Sequence, residues 1–331
     1  MTSYLLNIDT WKILFLLLTT CYHAISNKIE EKTIKPPGQL IDIDGTQIHL
    51  YSTGQGNTTV ILEHSLGGIE GYFLVDEIAK ITKVCMYDRA GYGWSQSSWK
   101  PRTSQQIVKD LHSLLNKANI QPPYILLGDS FGSYNMRLYA HLYPEEVIGI
   151  VLTDGLHEQS MLAMPISMII LKLFFTFSFA FVSLGAAFGI VRFLGIIGVF
   201  ELIKPELRKF SPTSLQFVKK SFYSSKHWLT MFREMWSLDA SSKQVRKAND
   251  FGDIPVINIK AATFLKPSLG MFKLSIPPAD KLRDKMQSSL LTISTDCQQV
   301  FAEKSSHFIW VDQPEVIQQA VIDILQKVKK S

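Results

Sequence analysis

Ser130 is the residue whose neighbours most strongly indicate nucleophilic chemistry. It stands at the centre of Gly128–Gly132, with the sequence G-D-S-F-G, between the apolar run Tyr124–Leu127 and a helical pattern that begins at Ser133. A turn from strand to helix that lifts a serine clear of a sheet is too sharp for a Cβ two residues before or after it, and glycine occupies both positions. We therefore predict that Ser130 is a catalytic nucleophile.

His307 is the predicted general base. A serine hydroxyl is a poor nucleophile near neutral pH unless a base accepts its proton. His307 follows the last strand-like run and precedes the helical pattern of Glu315–Lys329, and the chain order serine, acid, histidine places the base there. The other histidines fall in the predicted leader, hairpin, turns, helices or lid, so none of them takes this position.

Acyl transfer also requires two backbone N–H groups that are aimed at the developing oxyanion. Phe131, the residue after the nucleophile, is expected to supply one of them. The second is expected from the turn after the strand-like run Val60–Glu63, within His64–Gly68, and we assign it to Leu66.

The elements that must position these groups alternate between strand and helix. A hairpin through Asp44 and Gly45 comes first, and short apolar runs separated by helical patterns follow it, which indicates an α/β fold with a mostly parallel sheet covered on both faces. The alternation stops after Thr153 and resumes near Ile254, an interval too long for a loop. We predict a core of residues 36–155 and 251–331, with an inserted helical lid at 156–250.

Residues 1–35 form a hydrophobic leader that is predicted to lie outside the core. The uncharged stretch Ile13–Ile25 has the length of a signal peptide, and Ala24–Ser26 resembles a cleavage site. The stretch is short for a bilayer span of roughly 20 residues, but Trp11 and Tyr22 extend it toward an uncleaved anchor. Both alternatives predict a protein of the secretory pathway or one associated with a membrane.

The predicted lid contains the 19-residue uncharged run Leu173–Val191. Topology argues against a single membrane span, because Ser130 and His307 lie on either side of this run and must meet. Two spans would place a flanking charge in the apolar layer, at roughly 2.5–3.5 kcal/mol near its centre. The run therefore indicates a lid that lines an apolar pocket or dips into a membrane surface.

The charge of the predicted lid is unbalanced, with twelve Lys and Arg against six Asp and Glu. This excess of positive charge favours an anionic membrane surface over nucleic acid as the partner, or else it is a solvated basic face.

These features together resemble the α/β-hydrolase family, in its lipase/esterase and epoxide-hydrolase-like branch, from about residue 36 onward. The resemblance rests on His64–Gly68, on Gly128–Gly132, on His307 and on Tyr87–Ser95, with the sequence Y-D-R-A-G-Y-G-W-S. It implies an eight-stranded, mostly parallel sheet with helices on both faces, an inserted helical lid and a Ser-His-acid triad. The family usually has glycine where this chain has Ser65, so a shifted oxyanion turn is expected.

Two carboxylates are candidates for the third member of the triad. Many relatives of this architecture place the acid after the penultimate strand, but residues 257–278 contain no carboxylate. Asp154, directly after the sixth predicted strand, is at the other known location, and we assign the role to it. Asp280 is the reserve candidate.

The leading functional hypothesis is hydrolysis of a small apolar ester or lipid by Ser130, His307 and Asp154 through an acyl-enzyme. The alternatives are an amidase or proline-iminopeptidase-like hydrolase, or a catalytically weak homologue that binds a lipid or a partner. The three cysteines lack metal-ligand spacing with histidine, and neither a cofactor nor a metal is predicted. The expected partner is a membrane surface, contacted through leader and lid, and not nucleic acid.

Overall fold

The computed structural model describes residues 2–263 and 277–329, with side chains from residue 9 in the first part and from residue 281 in the second. Eight strands form one sheet in the order β1-β2-β4-β3-β5-β6-β7-β8, in which β3 to β8 run parallel. The predicted fold class is confirmed. The strands are β1 (Gln39–Ile43), β2 (Thr46–Thr53), β3 (Thr59–Glu63), β4 (Lys83–Tyr87), β5 (Tyr124–Asp129), β6 (Val147–Thr153), β7 (Val256–Ala261) and β8 (Cys297–Ala302).

The antiparallel edge begins with the predicted hairpin. Asp44 and Gly45 have φ angles of 51° and 81°, and a two-residue hairpin turn with both φ angles positive matches the twist of the flanking strands. Ile43 therefore pairs directly with Thr46, and β2 joins the rest of the sheet antiparallel to β4.

The central strands are buried on both sides, as their continuous apolar sequences predict. Side chains alternate between the two faces: Ile61, Leu126 and Ile150 pack in one cluster, and Val60 and Ile125 pack in the other. Helices cover both faces. Those that follow core strands are α2 (Gly71–Ala79), α3 (Ser104–Lys117), α4 (Gly132–Leu142), α12 (Pro277–Leu290), α13 (Ile309–Asp312) and α14 (Pro314–Val328).

A series of helices fills the interval between β6 and β7, where the lid was predicted; the division into core and lid domains stays a prediction. These helices are α5 (Glu158–Leu162), α6 (Ile166–Ala187), α7 (Ile190–Ile196), α8 (Val199–Ile203), α9 (Pro212–Tyr223), α10 (Ser225–Trp236) and α11 (Leu238–Val245). Within the described residues, α6 is the one helix that is long and apolar enough to cross a membrane by length and composition.

The leader packs against the helices that follow β6, and its role as a signal peptide or membrane anchor stays a prediction. It forms a single helix, α1 (Thr2–Thr33), that packs against α7 through an edge-to-face contact of Phe15 with Phe193, at 5.4 Å between ring centroids. Gly189, which precedes α7, has a φ angle of 75°, and a Cβ there would lie 2.3 Å from the carbonyl oxygen of Thr19. The resemblance to a cleavage site at Ala24–Ser26 therefore falls inside a packed helix.

Candidate active site

Ser130 occupies a strained bend between β5 and α4. Its φ angle is 49°, a left-handed conformation that a residue with a side chain adopts only when its surroundings impose it. The backbone N–H of Ser130 donates to the carbonyl oxygen of Thr153 at 3.0 Å. In turn, the Ser133 hydroxyl donates to the carbonyl oxygen of Ser130 at 2.6 Å. These bonds hold the bend from both sides.

The two flanking glycines are required by close backbone approach. A Cβ on Gly132 would lie 2.3 Å from the carbonyl oxygen of Glu63, and a Cβ on Gly128 would lie 2.7 Å from the carbonyl oxygen of Gly132. Any side chain at either position would push α4 away from the sheet. The spacing of glycines around Ser130 is thus explained by the fold itself.

Asp154 occupies the neighbouring bend. Asp129 and Thr153 are paired across β5 and β6, so Ser130 and Asp154 are the next residues on adjacent strands, which lie about 4.8 Å apart. Asp154 also has a positive φ angle, 44°, and its N–H donates to the carbonyl oxygen of Ile259 at 2.8 Å. Two strained bends therefore stand side by side at the carboxyl end of the sheet.

His307 reaches this edge from the segment between β8 and α13. Its Nδ1 lies 2.6 Å from Oδ2 of Asp154. The other carboxylate oxygen, Oδ1, accepts from Nε of Arg283 in α12 at 2.9 Å and from the N–H of Ala261 at 3.4 Å. Although burial raises the pKa of Asp154, the hydrogen bonds and charges of His307 and Arg283 outweigh it and lower that pKa.

The protonation state of the His307 ring follows from its contact with Asp154. An ionised Asp154 can only accept hydrogen bonds, so Nδ1 of His307 carries the proton and Nε2 of the neutral ring is the basic nitrogen. Burial lowers the pKa of His307, but the hydrogen bond and charge of Asp154 more than offset it, and the pKa is raised. The side chain keeps 14% of its exposure.

The turn that contains Leu66 lies next to the Ser130 bend, because Glu63 at the end of β3 is paired with Gly128 near the end of β5. Gly67 has a φ angle of 68°, and a Cβ there would lie 2.5 Å from Sδ of Met231. In the part of the chain that the structure describes, no hydrogen bond uses the amide of Leu66 or of Phe131. Two N–H groups on adjacent turns therefore remain available.

Arg89 holds the backbone of this turn. Its Nη1 donates to Oε1 of Glu63 and to the carbonyl oxygen of His64, both at 2.9 Å. Nη2 donates to the carbonyl oxygen of Ser65 at 2.9 Å. The same guanidinium makes two further bonds of 2.9 Å to the carboxylate of Glu234 in α10. A single buried side chain thus connects the sheet, the turn and the lid.

The extra side chain at Ser65 is accommodated without disturbing these contacts. The hydroxyl of Ser65 donates to Oε2 of Glu70 at 3.4 Å, and the same carboxylate oxygen accepts from the N–H of Ile69 at 2.9 Å. Ser65 is buried. The shifted turn that was expected here is opposed by two contacts, one on the Ser65 hydroxyl and one on its carbonyl oxygen.

Asp129, the other nucleophilic side chain of the bend, is buried within the sheet. Its Oδ1 accepts from the Thr153 hydroxyl at 2.6 Å, and that hydroxyl accepts from Nε1 of Trp310 at 2.8 Å. Burial raises the pKa of Asp129 to about 7, against the opposing charge of His307. A carboxylate in this position is enclosed, whereas Ser130 is partly exposed.

Of the predicted site residues, the structure brings Ser130, Asp154 and His307 to one edge of the sheet, with the turns of Leu66 and Phe131 beside them. The side chain of Asp280, the reserve acid, lies outside the described residues. Sequence reasoning missed Arg283 and Glu234. Neither has a local signal: Arg283 lies 129 residues after Asp154, and Glu234 lies 145 residues after Arg89.

A family model described as the alpha/beta hydrolase fold matches residues 58–263, which is more than half of the 331-residue chain. The chain belongs to the α/β-hydrolase family. The matched region includes β3 to β7 and both strained bends. Membership supports hydrolase activity and leaves the bond that is cleaved open.

Solved structures of the same fold carry different activities. The epoxide hydrolase CorEH superposes with a TM-score of 0.64 at 15% identity, covering 88% of this chain and 98% of that one. The enol-lactonase of Burkholderia xenovorans superposes with a TM-score of 0.60 at 16% identity, covering 87% and 99%. At such identities the likeness concerns the fold alone.

The curated relatives match over shorter regions. The uncharacterized protein YbdG of Bacillus subtilis is 30% identical over 143 residues, which is 42% of this chain and 44% of YbdG. An uncharacterized vacuolar membrane protein of Saccharomyces cerevisiae is 28% identical over 111 residues, 31% of this chain and 17% of that protein. The match thus spans less than half the length of each relative.

Proposed function

We propose that this protein is a serine hydrolase that cleaves a carboxylic ester with an apolar acyl group. The observation that carries the proposal is the 2.6 Å contact between Nδ1 of His307 and Oδ2 of Asp154, on the bend that adjoins Ser130. An ionised carboxylate that holds an imidazole in this tautomer beside a partly exposed serine is the arrangement that nucleophilic acyl transfer uses.

The proposed reaction has two halves. Oγ of Ser130 attacks the ester carbonyl carbon while Nε2 of His307 takes the hydroxyl proton, and Asp154 stabilises the resulting imidazolium. The N–H groups of Leu66 and Phe131 bind the oxyanion. The tetrahedral intermediate then breaks its bond to the alcohol oxygen, which leaves with the proton from His307. A water molecule, deprotonated by His307, then attacks the acyl carbon. The bond between this carbon and Oγ breaks, His307 returns the proton to Oγ, and the acid is released.

A hydroxyl nucleophile is supported over a carboxylate nucleophile. Asp129 is the carboxylate nearest to the bend, but it is buried and accepts from the Thr153 hydroxyl, and its raised pKa of about 7 leaves a large fraction protonated near neutral pH. A carboxyl group that is enclosed and hydrogen-bonded in this way is held away from an electrophile. This distinction favours an ester over an epoxide as the substrate.

An apolar acyl group is supported by the composition of the lid. Aromatic rings of α6 pack along α10, with centroid distances of 6.2 Å between Phe177 and Trp236 and 6.4 Å between Phe179 and Trp228. The lid helix α10 also carries Glu234, which contacts Arg89. The aromatic packing of α6 on α10 is the support for an apolar acyl group.

The test is covalent labelling by a fluorophosphonate probe. We predict that the wild-type protein is labelled and that Ser130→Ala is not, with the control Ser288→Ala labelled like the wild type. Hydrolysis of p-nitrophenyl esters of graded chain length is then compared with hydrolysis of matching anilides, and faster turnover of longer esters is expected. Equal labelling of wild type and Ser130→Ala would exclude Ser130 as the nucleophile, and preference for the anilides would point to amide hydrolysis.

We also propose that the protein is associated with a membrane. The length and composition of α6 support this location, and so, more weakly, does the partial similarity to a vacuolar membrane protein. Fractionation of the expressing cells, with detection of the full chain, tests the location: the chain is expected in the membrane pellet after a high-salt wash.

A further inference from the structure

Exposed apolar side chains concentrate in two segments that are distant in the chain. One is the leader helix α1, and the other is the stretch from α6 to α8. Monomeric soluble proteins rarely expose apolar patches larger than a few hundred Å². Representative side chains, each more than half exposed, are Trp11, Leu17, Leu18, Phe174, Phe181 and Ile197.

Helix α6 is apolar on nearly all sides. Its most apolar 18-residue window has a mean hydropathy of 2.0 and is only 6% buried. Its 22 residues span about 33 Å at 1.5 Å per residue, close to the roughly 30 Å of a bilayer's hydrocarbon core. An amphipathic docking helix for a protein partner would instead carry one apolar stripe and a polar opposite face. The composition of α6 fits lipid contact on several sides.

Several hydroxyl groups of these helices are hydrogen-bonded within the protein. Thr176 and Ser178 each donate to the carbonyl oxygen one turn earlier, at 2.6 and 2.8 Å. Ser183 donates to the carbonyl oxygen of Ser225 at 2.9 Å. In the leader, Thr20 donates one turn back at 2.7 Å. Lipid offers no hydrogen-bond partner, so polar groups that enter it must be paired in this way.

Arg192 in α7 joins the leader to the lid. Its guanidinium donates to Nδ1 of His23 at 3.1 Å, to Oδ1 of Asn27 at 2.7 Å and to the carboxylate of Glu30. The guanidinium carbon lies 4.5 Å from the centre of the Tyr223 ring in α9. We call these five residues the Arg192 clasp. Arg192 is only 3% exposed, so the leader covers a charged side chain that would otherwise be exposed to solvent.

The Arg192 clasp allows the contact between the leader and the lid helices to lie in an apolar environment. A charge removed from water is tolerated when it is paired and hydrogen-bonded, and Glu30 supplies the opposite charge to Arg192. The leader changes character at this point: residues before the clasp are mainly apolar, and Glu31, Lys32 and Lys35 follow it. Charged residues at this end mark where the helix would leave a lipid layer.

We propose that α1 and the lid helices α6 to α8 insert together into a lipid bilayer as one platform, with the Arg192 clasp as the joint between them. The occupant of the apolar surface is lipid, because α6 is apolar on several sides and the hydroxyls of Thr176, Ser178 and Ser183 are internally paired. This inference rests on the proposed membrane association and is independent of the proposed ester chemistry. In this arrangement, the leader remains part of the working protein and holds the lid at the membrane.

The test is flotation of the full-length protein with vesicles of phosphatidylcholine and phosphatidylglycerol. The double variant Phe174→Glu/Phe181→Glu is expected to lower the vesicle-bound fraction at least about tenfold, because charges in the apolar layer are costly. The matched control is Trp99→Glu, which alters a side chain that is 98% exposed and lies outside the platform; its binding is expected to equal the wild type. Thermal unfolding of each variant checks that it is folded.

Environment-sensitive fluorophores test the joint. In a Cys297→Ser background, a dye on Cys21 reports on the leader; with Cys21→Ser and Phe181→Cys added, the dye reports on the lid. Both positions are expected to show a blue shift on vesicles. Adding Arg192→Gln is expected to remove at least half of the shift at residue 181 and to leave the shift at Cys21.

Three outcomes would overturn the platform, and a fourth would separate it from the proposed chemistry. Unchanged flotation of Phe174→Glu/Phe181→Glu would show that the lid does not enter the bilayer, and a shift at residue 181 that survives Arg192→Gln would show that the clasp does not couple the segments. A dimer in sedimentation, with no dye shift on vesicles, would assign the surface to a second copy of the chain. Flotation without fluorophosphonate labelling would reject the proposed chemistry and keep the platform.

Discussion

The sheet with its covering helices buries its apolar side chains, whereas the helices of the predicted lid and the leader helix expose many of theirs. In the core, strands such as β3 and β5 are buried along their whole length, and apolar side chains face inward on both sides of the sheet. In the leader and lid, long apolar helices leave many large side chains exposed. The apolar side chains of the core are covered by other residues of the same chain. In the predicted lid and the leader, packing within the chain leaves a large apolar surface uncovered.

Polar groups follow the same division. At the site, buried charges are joined in networks: Asp154 is held by His307 and Arg283, and Arg89 is held by Glu63 and Glu234. In α6, hydroxyls turn back to their own or neighbouring backbone. Buried polar networks therefore position the site residues, whereas α6 pairs several of its hydroxyls with backbone and presents an apolar surface.

The largest effect that would test the chemical role of the core is expected for Asp154→Asn. An amide cannot stabilise the imidazolium and favours the wrong tautomer, so kcat is expected to fall by roughly 10³–10⁴-fold. Because Asp154 raises the pKa of His307 and the ring must be neutral to act as base, the residual activity should rise at a lower pH than in the wild type. The measurement is a pH profile of kcat/KM.

The control is Asp284→Asn, which removes an exposed ion pair with Lys260 and is expected to retain wild-type kcat. An Asp154→Asn enzyme with full activity would move the acid elsewhere, and Asp280→Asn would then be the next variant to measure.

Glu234→Gln breaks the connection between the two regions. Removing one partner of a buried pair destabilises a protein by roughly 3–5 kcal/mol, and Arg89 would lose its partner in the lid. We expect a lower free energy of unfolding and a fall in kcat of about tenfold or more, since the same guanidinium holds the carbonyl oxygens of the Leu66 turn. Urea denaturation and steady-state kinetics measure the two effects.

The comparison variant for Glu234→Gln is Asp239→Asn, which alters the more exposed pair with Lys172 and is expected to change stability by less than about 1 kcal/mol. Equal stability of the two variants would show that the Arg89 network is not structural.

Arg283→Gln should have a smaller effect on the site. It removes a cation from Asp154 but leaves the His307 contact in place. We expect kcat to fall about tenfold, as for the loss of a group that orients another, with KM nearly unchanged. The neighbouring exposed Lys285→Gln serves as control. A larger loss than for Asp154→Asn would place Arg283 in direct contact with the substrate.

The smallest effect on stability is expected for Phe181→Ser in the lid. Phe181 is 72% exposed, so its truncation should change the free energy of unfolding in detergent by less than about 0.5 kcal/mol. Leu126→Ala, in the fully buried β5, should cost roughly 2–5 kcal/mol. Thermal denaturation of both variants measures the contrast, and similar losses would mean that Phe181 is buried in solution.

The parts of the site that sequence reasoning located are those with a local signature. The glycines around Ser130 are dictated by backbone atoms within the same turn or the paired strand, so their spacing is visible in the chain. The position of His307 followed from chain order. The choice between Asp154 and Asp280 had no local signature, and geometry favours Asp154 because it is the carboxylate that the described residues place at His307.

By itself, the sequence determined the alternation of strands and helices, the sharp bend at Ser130 and the apolar character of the lid, because each depends on neighbouring residues and on the periodicity of the backbone. Only the tertiary structure decided which distant groups meet: Arg283 with Asp154, Arg89 with Glu234, and Arg192 with the leader. The partners in these pairs are 129, 145 and 162 residues apart. Their contact depends on how the helices pack on the sheet and on the need to pair each buried charge, and no local pattern encodes it.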